Sequence, residues 1–482
     1  MKDLDQSDAT TAGRAERYRY SVSLISGVAQ ALDVAAIVLS GLVCHIMLVR
    51  YSQYTVEYYI FAVVFVAFAM HVLCRRADLY EIGAIMRPIG RSDYLLAATV
   101  TAFLFFLTIA FSLKASEVYS RVWIYGFGAS SFFAICLFRI LLYRALKLLS
   151  RRQIVGRSLA VLGAGEQGRR FIERLEAVKP YFTTIHGVYD RDPALECEKF
   201  CGYAMRGGLD ELVKAARRAE IDDIVVALPW NADKDVIEAV ETLKQLPVNV
   251  FISSDLVGFQ LAFRPALGTF QELPMFEVVT RPISGWGYLM KMAEDYILAS
   301  IALLLLSPLL LIVAAAIKLE SKGPVFFRQP RLGFNNQRFE IYKFRSMYLH
   351  DEDETRVKQA EKDDPRITRV GRIIRRTSID ELPQLLNVLD GTMSLVGPRP
   401  HALTHNQEFA REVRGYFARH KVKPGITGWA QANGYRGETD TPEKIRLRVQ
   451  HDVYYAENWS LMFDLRILVM TVLVVLFQKS AY

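Results

Sequence analysis

Four apolar segments, at about 22–49, 55–74, 93–113 and 118–142, fill the first third of the chain. Each is close to the ~20 residues that a helix needs to cross a bilayer. Lipid offers the backbone no hydrogen-bond partners, so these stretches must close their own bonds as helices. They predict a four-helix transmembrane unit over 22–145, behind an N-terminal tail over 1–21. That tail mixes both charges and carries no cleavable-signal pattern. The connector after the second segment carries Arg75, Arg76, Arg87 and Arg91, and the stretch after the fourth carries Arg144, Lys147, Arg151, Arg152 and Arg157. The opposite loops hold only Arg50 on one, with Lys114 and Arg121 near the other. Positive charge marks the cytoplasmic side, which places the tail and both ends of the unit there. An apolar content of 52% suits this reading.

The formal charge of +8 is modest, and its bases cluster beside apolar segments. That pattern favours a phospholipid surface or a phosphorylated substrate over a nucleic-acid groove. No RNA-recognition signature or zinc-finger spacing is present, so no nucleic-acid partner is expected. Of the five cysteines, Cys44, Cys74 and Cys136 lie in or beside apolar segments, and Cys197 and Cys201 form one isolated pair. The spacing predicts free thiols rather than a zinc site or a disulfide framework.

From 155 to 255 strands and helices alternate, which predicts an open Rossmann-like α/β domain. Strands are expected near 158–163, 184–189, 223–228 and 248–252, with a helix over 166–178. The first turn, Gly163-Ala164-Gly165-Glu166-Gln167-Gly168, is a G-x-G-x-x-G between strand and helix, and Asp190 ends the second strand. Gly163, Gly165 and Gly168 are candidate nucleotide-binding glycines. The same residues also serve close strand–helix packing.

A linker rich in Pro, Gly and aromatics spans 256–287, and 288–482 forms the last domain. It opens with 296–317, an apolar run interrupted by Ser307-Pro308. By length this is a spanning helix. Lys291 before it and Lys318, Lys322, Arg328 and Arg331 after it give both flanks a cytoplasmic character, and a central proline bends a helix. The alternative is a re-entrant helix that turns at Ser307-Pro308 and leaves on the side it entered. Its freed backbone carbonyl would need a partner such as the Ser307 hydroxyl.

The remainder is compact, basic and mainly helical. A hairpin is expected around Gly333–Asn336, and a helix over 365–376 whose Arg366, Arg369, Arg372 and Arg375 form one stripe. The apolar run 467–477 is too short to span and reads as interfacial or docked. Four polar stretches lack a packing purpose: Lys343–Met347, Arg375–Gln384, Val396–Pro400 and Pro424–Gln431. Ser378-x-x-Glu381 fits a capping box, which would put Asp380 and Glu381 in the first turn of a helix. Arg399 between two prolines is preorganised for a phosphate. The glycine-rich loop offers Thr427, Trp429 and Gln431 to a ligand.

These motifs, in this order and behind a Ser-Pro-interrupted helix, resemble the polyprenyl-phosphate hexose-1-phosphate transferases of bacterial surface-polysaccharide synthesis. The resemblance covers the whole chain, and its large members share the four-helix and Rossmann-like parts. Membrane-bound nucleotide-sugar dehydratases share those two parts as well. The resemblance implies transfer of a sugar-1-phosphate from a UDP-sugar to undecaprenyl phosphate in the inner membrane, as the first membrane step of exopolysaccharide or capsule synthesis. It makes Asp380 the nucleophile of a covalent phosphosugar intermediate. Mg²⁺ is the expected cofactor, with Glu381 as its ligand, because a carboxylate attacking a diphosphate needs cations. Lys343 and Arg399 follow from the family motifs. Arg345 and Arg376 extend that set by charge and nearness in sequence. Asn433–Thr439 is similar to members that transfer glucose-1-phosphate. A homodimer is a further expectation from the family. Two rival readings are a membrane-anchored NAD-dependent nucleotide-sugar dehydratase or epimerase and a regulatory membrane scaffold. The first lacks a Tyr-x-x-x-Lys pair downstream of the glycine turn.

Overall fold

The computed structural model describes residues 22–49, 56–115, 117–151, 155–190, 198–229, 232–253, 275–348, 364–401, 403–413, 415–435 and 441–477. They fall into two compact units, one over 17–157 with 179–184 and one built from the rest.

The first unit is helical: α1 Val22–Leu48, α2 Val56–Arg76, the short α3 Ile82–Ile85, α4 Ser92–Ser112 and α5 Arg121–Arg151. Of these, α1, α2 and α4 are long and apolar enough to cross a membrane. The fourth expected segment is the 31-residue α5, which runs past 142 into the basic stretch. Small residues let the helices approach: a Cβ on Gly41 would lie 2.3 Å from a Val63 methyl. Inside the bundle Arg139 of α5 meets Asp33 of α1 at 2.6 Å, both buried. Neither charge was singled out in the sequence, because each sits alone in an apolar run. Cys44, Cys74, Cys136 and Cys201 are free thiols, as expected, and Cys197 lies outside the described residues.

The second unit begins with the α/β domain: β1 Arg157–Leu162, α6 Glu166–Val178, β2 Thr183–Tyr189, a small hairpin of β3 Lys199–Phe200 and β4 Tyr203–Ala204, α7 Leu209–Arg217, β5 Asp223–Val226, α8 Asp233–Leu243, β6 Asn249–Ser253 and β7 Met275–Val279. The sheet order is β2-β1-β5-β6-β7, with β1, β5 and β6 parallel. Side chains alternate across a strand. Leu159 and Val161 therefore pack on Phe171, Ile172 and Leu175 of α6, while Ala160 and Leu162 pack on Leu212 of α7 and Leu243 of α8. The expected strands are all present. The expected linker is not wholly one, since β7 adds an antiparallel fifth strand and the next helix starts at Gly285. The rest of that linker, 256–274, lies outside the described residues.

The glycine turn is built for packing at two of its three glycines. Gly163 has φ +121, and a Cβ there would lie 2.5 Å from the Ala227 carbonyl; on Gly168 it would lie 2.0 Å from the Gly163 carbonyl. Gly165 faces open space. The Asp190 carboxylate accepts a hydrogen bond from Ala164 N–H and so closes the turn from within.

The rest of the unit is α9 Gly285–Glu320, a hairpin of β8 Phe326–Leu332 and β9 Arg338–Phe344, α10 Arg369–Arg376, a 3₁₀ turn Ile379–Glu381, α11 Gln384–Leu389, β10 Ser394–Val396, α12 Leu403–Glu412, a 3₁₀ stretch Tyr416–Lys421, β11 Gly425–Thr427, α13 Trp429–Ala432, α14 Pro442–Glu457 and α15 Leu461–Phe477. The expected helix over 365–376 starts only at Arg369, because the Thr368 hydroxyl accepts from Gly371 N–H and caps it there. The hairpin turn holds the α/β domain. Asn335, at φ +53, donates through Nδ2 to the carbonyls of Ala216 (3.2 Å) and Arg217 (2.8 Å) at the end of α7, and Asn336 Oδ1 bonds the His420 ring.

The long apolar α9 continues as one 36-residue helix through Pro308. Proline has no N–H for the carbonyl four residues back. That carbonyl belongs to Leu304, and the Ser307 hydroxyl donates to it at 2.8 Å. Both ends of α9 are tied to polar groups of the same unit. Near its start, Lys291 lies 2.7 Å from Asp464 of α15, and Asp295 accepts from Ser394 Oγ at 3.0 Å. At its end, Glu320 accepts from Arg369 N–H (2.7 Å) and Val370 N–H (3.0 Å), the first turn of α10. Between them Leu304, Leu305, Leu311 and Ile312 are exposed. Helix α15 likewise buries Ile467 and exposes Val469, Val472 and Leu473.

The glycine turn yields a paired expectation. Gly168→Ala should cost about 1–3 kcal/mol through overpacking, read as a lower thermal midpoint of the purified protein. Gly165→Ala should leave that midpoint within measurement error, since no atom stands in its way.

Candidate active site

Asp380 and Glu381 stand in the 3₁₀ turn between α10 and α11. The capping box expected at Ser378 is absent. Ser378 is left-handed at φ +56 and makes no side-chain cap bond. A cap residue must be extended for its oxygen to reach the third N–H of the helix, and the sharp exit from α10 forbids that here. The turn serves instead to point two neighbouring carboxylates apart, by about 120° in a 3₁₀ turn.

Glu381 faces two cations. Arg399 grips it with both terminal nitrogens, Nη2 to Oε1 at 2.6 Å and Nη1 to Oε2 at 3.0 Å, and Lys343 Nζ reaches Oε1 at 2.8 Å. Burial would raise the Glu381 pKa, but Arg399 and Lys343 outweigh it and hold the carboxyl well below the usual carboxylate range. Asp380 has no hydrogen-bond partner among the described residues. Burial, and then the negative charge of Glu381, push it up to about 6 against the pull of Lys343, Arg375 and Arg399. One carboxylate organises cations. Its neighbour stays uncommitted.

Of the expected phosphate contacts, Lys343 on β9 and Arg399 after β10 are therefore brought to the carboxylate pair. Arg345 is not. It is buried and donates to the carbonyls of Ser321 and Lys322 (2.9 Å each), closing the C-terminal end of α9. Arg376 is exposed, and the α10 cation that acts on Asp380 is Arg375. Sequence reasoning also missed Arg331. It shares a face of the hairpin with Lys343, as the pairings Arg331↔Phe339 and Phe327↔Lys343 require. Burial and the nearby Arg399 lower its guanidinium pKa to about 10. Period-two counting back from Lys343 was the signal that could have found it.

The glycine-rich loop lies beside Arg399 for a steric reason. A Cβ on Gly425 would fall 2.1 Å from Gly397 N, and one on Gly428 would fall 2.2 Å from Gly397 O. The loop's backbone thus closes on Gly397, at the start of the turn that carries Arg399. Thr427 Oγ1 pairs with Thr471 Oγ1 of α15 at 2.7 Å, and Trp429 packs edge-on against Phe463 with Arg466 over its ring. Neither side chain joins Asp380 or Glu381 in a recorded contact. Gln431 is buried, and its Oε1 has no partner among the described residues. Residues 436–439 of the expected sugar-specificity segment Asn433–Thr439 lie outside the described residues.

A Mg²⁺ at this pair would have to be held mainly by a substrate. No group of three acidic, His or Cys side chains gathers among the described residues. Mg²⁺ takes one or two carboxylates and completes its shell with water and phosphate oxygens; Glu381, whose oxygens are shared with Arg399 and Lys343, would leave most of that shell to a substrate.

Residues 286–478 match a family described as bacterial sugar transferase, and residues 75–254 one described as a CoA-binding domain. The chain is 44% identical over 276 residues to the UDP-glucose:undecaprenyl-phosphate glucose-1-phosphate transferase of Escherichia coli, covering 57% of this chain and 59% of that protein. It thus spans somewhat under two thirds of that relative's length. A protein of the same name from Caulobacter vibrioides is 43% identical over 260 residues, which cover 54% of this chain and 91% of that one. The UDP-N-acetylgalactosamine-undecaprenyl-phosphate N-acetylgalactosaminephosphotransferase of Aeromonas hydrophila is 48% identical over 187 residues, covering 39% of this chain and 43% of that one.

The two carboxyls should be separable by titration. In metal-free protein, Asp380→Asn should remove from infrared difference spectra one carboxyl signal that is protonated below about pH 6 and ionised above it. Spectra in that range left unchanged by the substitution would refute the assignment.

Proposed function

This chain belongs to the bacterial sugar transferase family, and on that premise we propose that it transfers glucose-1-phosphate from UDP-glucose to undecaprenyl phosphate, releasing UMP. What carries the reading is the carboxylate pair: Glu381 bound by Arg399 and Lys343, and beside it Asp380 with no hydrogen-bond partner among the described residues. The relatives' names supply the substrates.

In the proposed mechanism an Asp380 oxygen attacks the phosphorus that carries the sugar. The bond from that phosphorus to the bridging oxygen breaks, and UMP leaves with the electron pair. An acyl phosphate now joins Asp380 to the sugar phosphate. An oxygen of undecaprenyl phosphate then attacks the same phosphorus, the bond to Asp380 breaks, and the carboxylate is restored. Lys343 and Arg399 neutralise the diphosphate so that an anion can approach it, and Arg331 and Arg375 add to that field. Glu381 keeps the two cations in place and would hold Mg²⁺ together with the substrate's phosphate oxygens. Bound there, Mg²⁺ would offset charge building on the departing phosphate. Family membership supports a place at the start of exopolysaccharide assembly.

The acceptor is a lipid and the donor is cytosolic, so the site must face the cytoplasm at the membrane surface. We therefore read α9 as re-entrant, entering and leaving on one side by a bend at Pro308, where the helix lacks a backbone hydrogen bond. Its two ends are bound to α15 and α10 of one unit, while its middle exposes leucines, a pattern that suits a helix dipping into one leaflet. The four N-terminal spans would return the chain to the cytoplasm in the inner membrane.

With radiolabelled UDP-glucose, Mg²⁺ and undecaprenyl phosphate, purified protein should release UMP and label the lipid. Asp380→Asn should lower both by at least about 1,000-fold, the scale of losing a nucleophile; near-normal turnover would falsify its role. Glu381→Gln should raise the Mg²⁺ requirement or abolish turnover, and EDTA should stop the wild type. Single cysteines placed before Ser307 and after Lys318 should both react with an impermeant reagent from the cytoplasmic face only. Periplasmic labelling after Lys318 would sink the re-entrant reading.

A further inference from the structure

Arg399 is only as well placed as the turn that carries it. Prolines flank it, so its neighbours offer no backbone N–H to anchor the chain. The anchor comes from Arg419, in the 3₁₀ stretch Tyr416–Lys421 and only 1% exposed. Its Nη2 donates to the Arg399 carbonyl at 2.6 Å, and its Nη1 donates to His401 Nδ1 at 2.6 Å. Burial, and then the adjacent Arg419 charge, keep the His401 ring well below its usual pKa, so it stays neutral and able to accept. Arg419 is itself paired with buried Asp452 of α14, Nη2 to Oδ2 at 2.7 Å. One guanidinium thus fastens the Arg399-Pro400-His401 turn on both sides of the proline.

We propose that Arg419, oriented by Asp452, is a positioning residue for the transferase. It fixes the Arg399–His401 turn so that the Arg399 fork meets Glu381 and the substrate diphosphate in a single orientation. Stability alone accounts poorly for such a group, since a buried ion pair is often replaceable by apolar residues without loss. Its two hydrogen bonds to one turn are what an apolar replacement could not reproduce. Lysine could not either, because it presents one nitrogen where the turn needs two in a fixed plane.

This inference rests on the proposed reaction, and the test separates the two. Full-length protein in lipid nanodiscs is assayed for UMP release from UDP-glucose and undecaprenyl phosphate. Arg419→Lys should lower kcat by about 10- to 100-fold, the cost of a misplaced group near the reacting atoms. The KM for undecaprenyl phosphate should change by less than about twofold. Residues that act through one another are not additive. In an Arg399→Lys background, the same substitution should therefore cost less than about threefold more. An equal loss in both backgrounds would overturn the proposal. Asp452→Asn, which keeps shape and volume, should repeat the pattern and serves if Arg419→Lys does not fold. Failure of both to fold would assign the pair to stability and defeat the positioning role. Wild-type protein that releases no UMP would defeat the reaction reading and this inference with it.

Discussion

The grip of Arg399 and Lys343 on Glu381 is the interaction on which the catalytic unit turns. Three chain segments meet there: the β9 strand, the turn after α10 and the loop after β10. Each is fixed from behind by something larger. Strand β9 is held by its hairpin and by Asn387, which accepts from Tyr342 N–H and donates to the Glu340 carbonyl. The Arg399 loop is wedged against the 424–428 segment at glycines that tolerate no Cβ. A site that needs three segments in register at a single carboxylate cannot be assembled by local structure alone.

The electrostatics follow from the same contact. Two adjacent carboxylates in a half-buried turn would both resist ionisation. Committing the cations to Glu381 makes it the permanent anion and leaves Asp380 with the cost of burial and of a negative neighbour. A residue raised in this way takes up a proton in mildly acid solution, and in the proposed mechanism it would act as the nucleophile once extra positive charge enters with the substrate. The two residues differ in role through their surroundings, since their chemistry is nearly the same.

The sequence made the architecture plain where periodicity carries it. The apolar segments and the β-α alternation each stood out, because burial in lipid or in a two-faced sheet constrains every residue of a segment. The carboxylate pair, Lys343 and Arg399 were legible from motif resemblance. What escaped was anything decided by long-range partners. Arg345 looked like Lys343 in charge and spacing, yet two residues further along a strand end it meets the end of α9. Ser378 fitted a cap by spacing and failed because the backbone turns left-handed there. Arg331, Arg419 and Asp33 gave little signal because their partners lie far away in sequence.

Under the proposed reaction, the way α9 is bound at both ends bears on how a soluble donor would meet a lipid acceptor. A helix fastened to its own domain near Lys291 and again at Glu320 cannot slide along its axis or change its tilt independently of that domain. It would act as a depth gauge. The distance between its exposed leucines and the Asp380 turn is set by the fold, so the height of the reactive carboxylate above the bilayer surface would be fixed as well. A lipid phosphate held at headgroup level would then arrive at the right level by partitioning alone, and the encounter would reduce to diffusion in two dimensions.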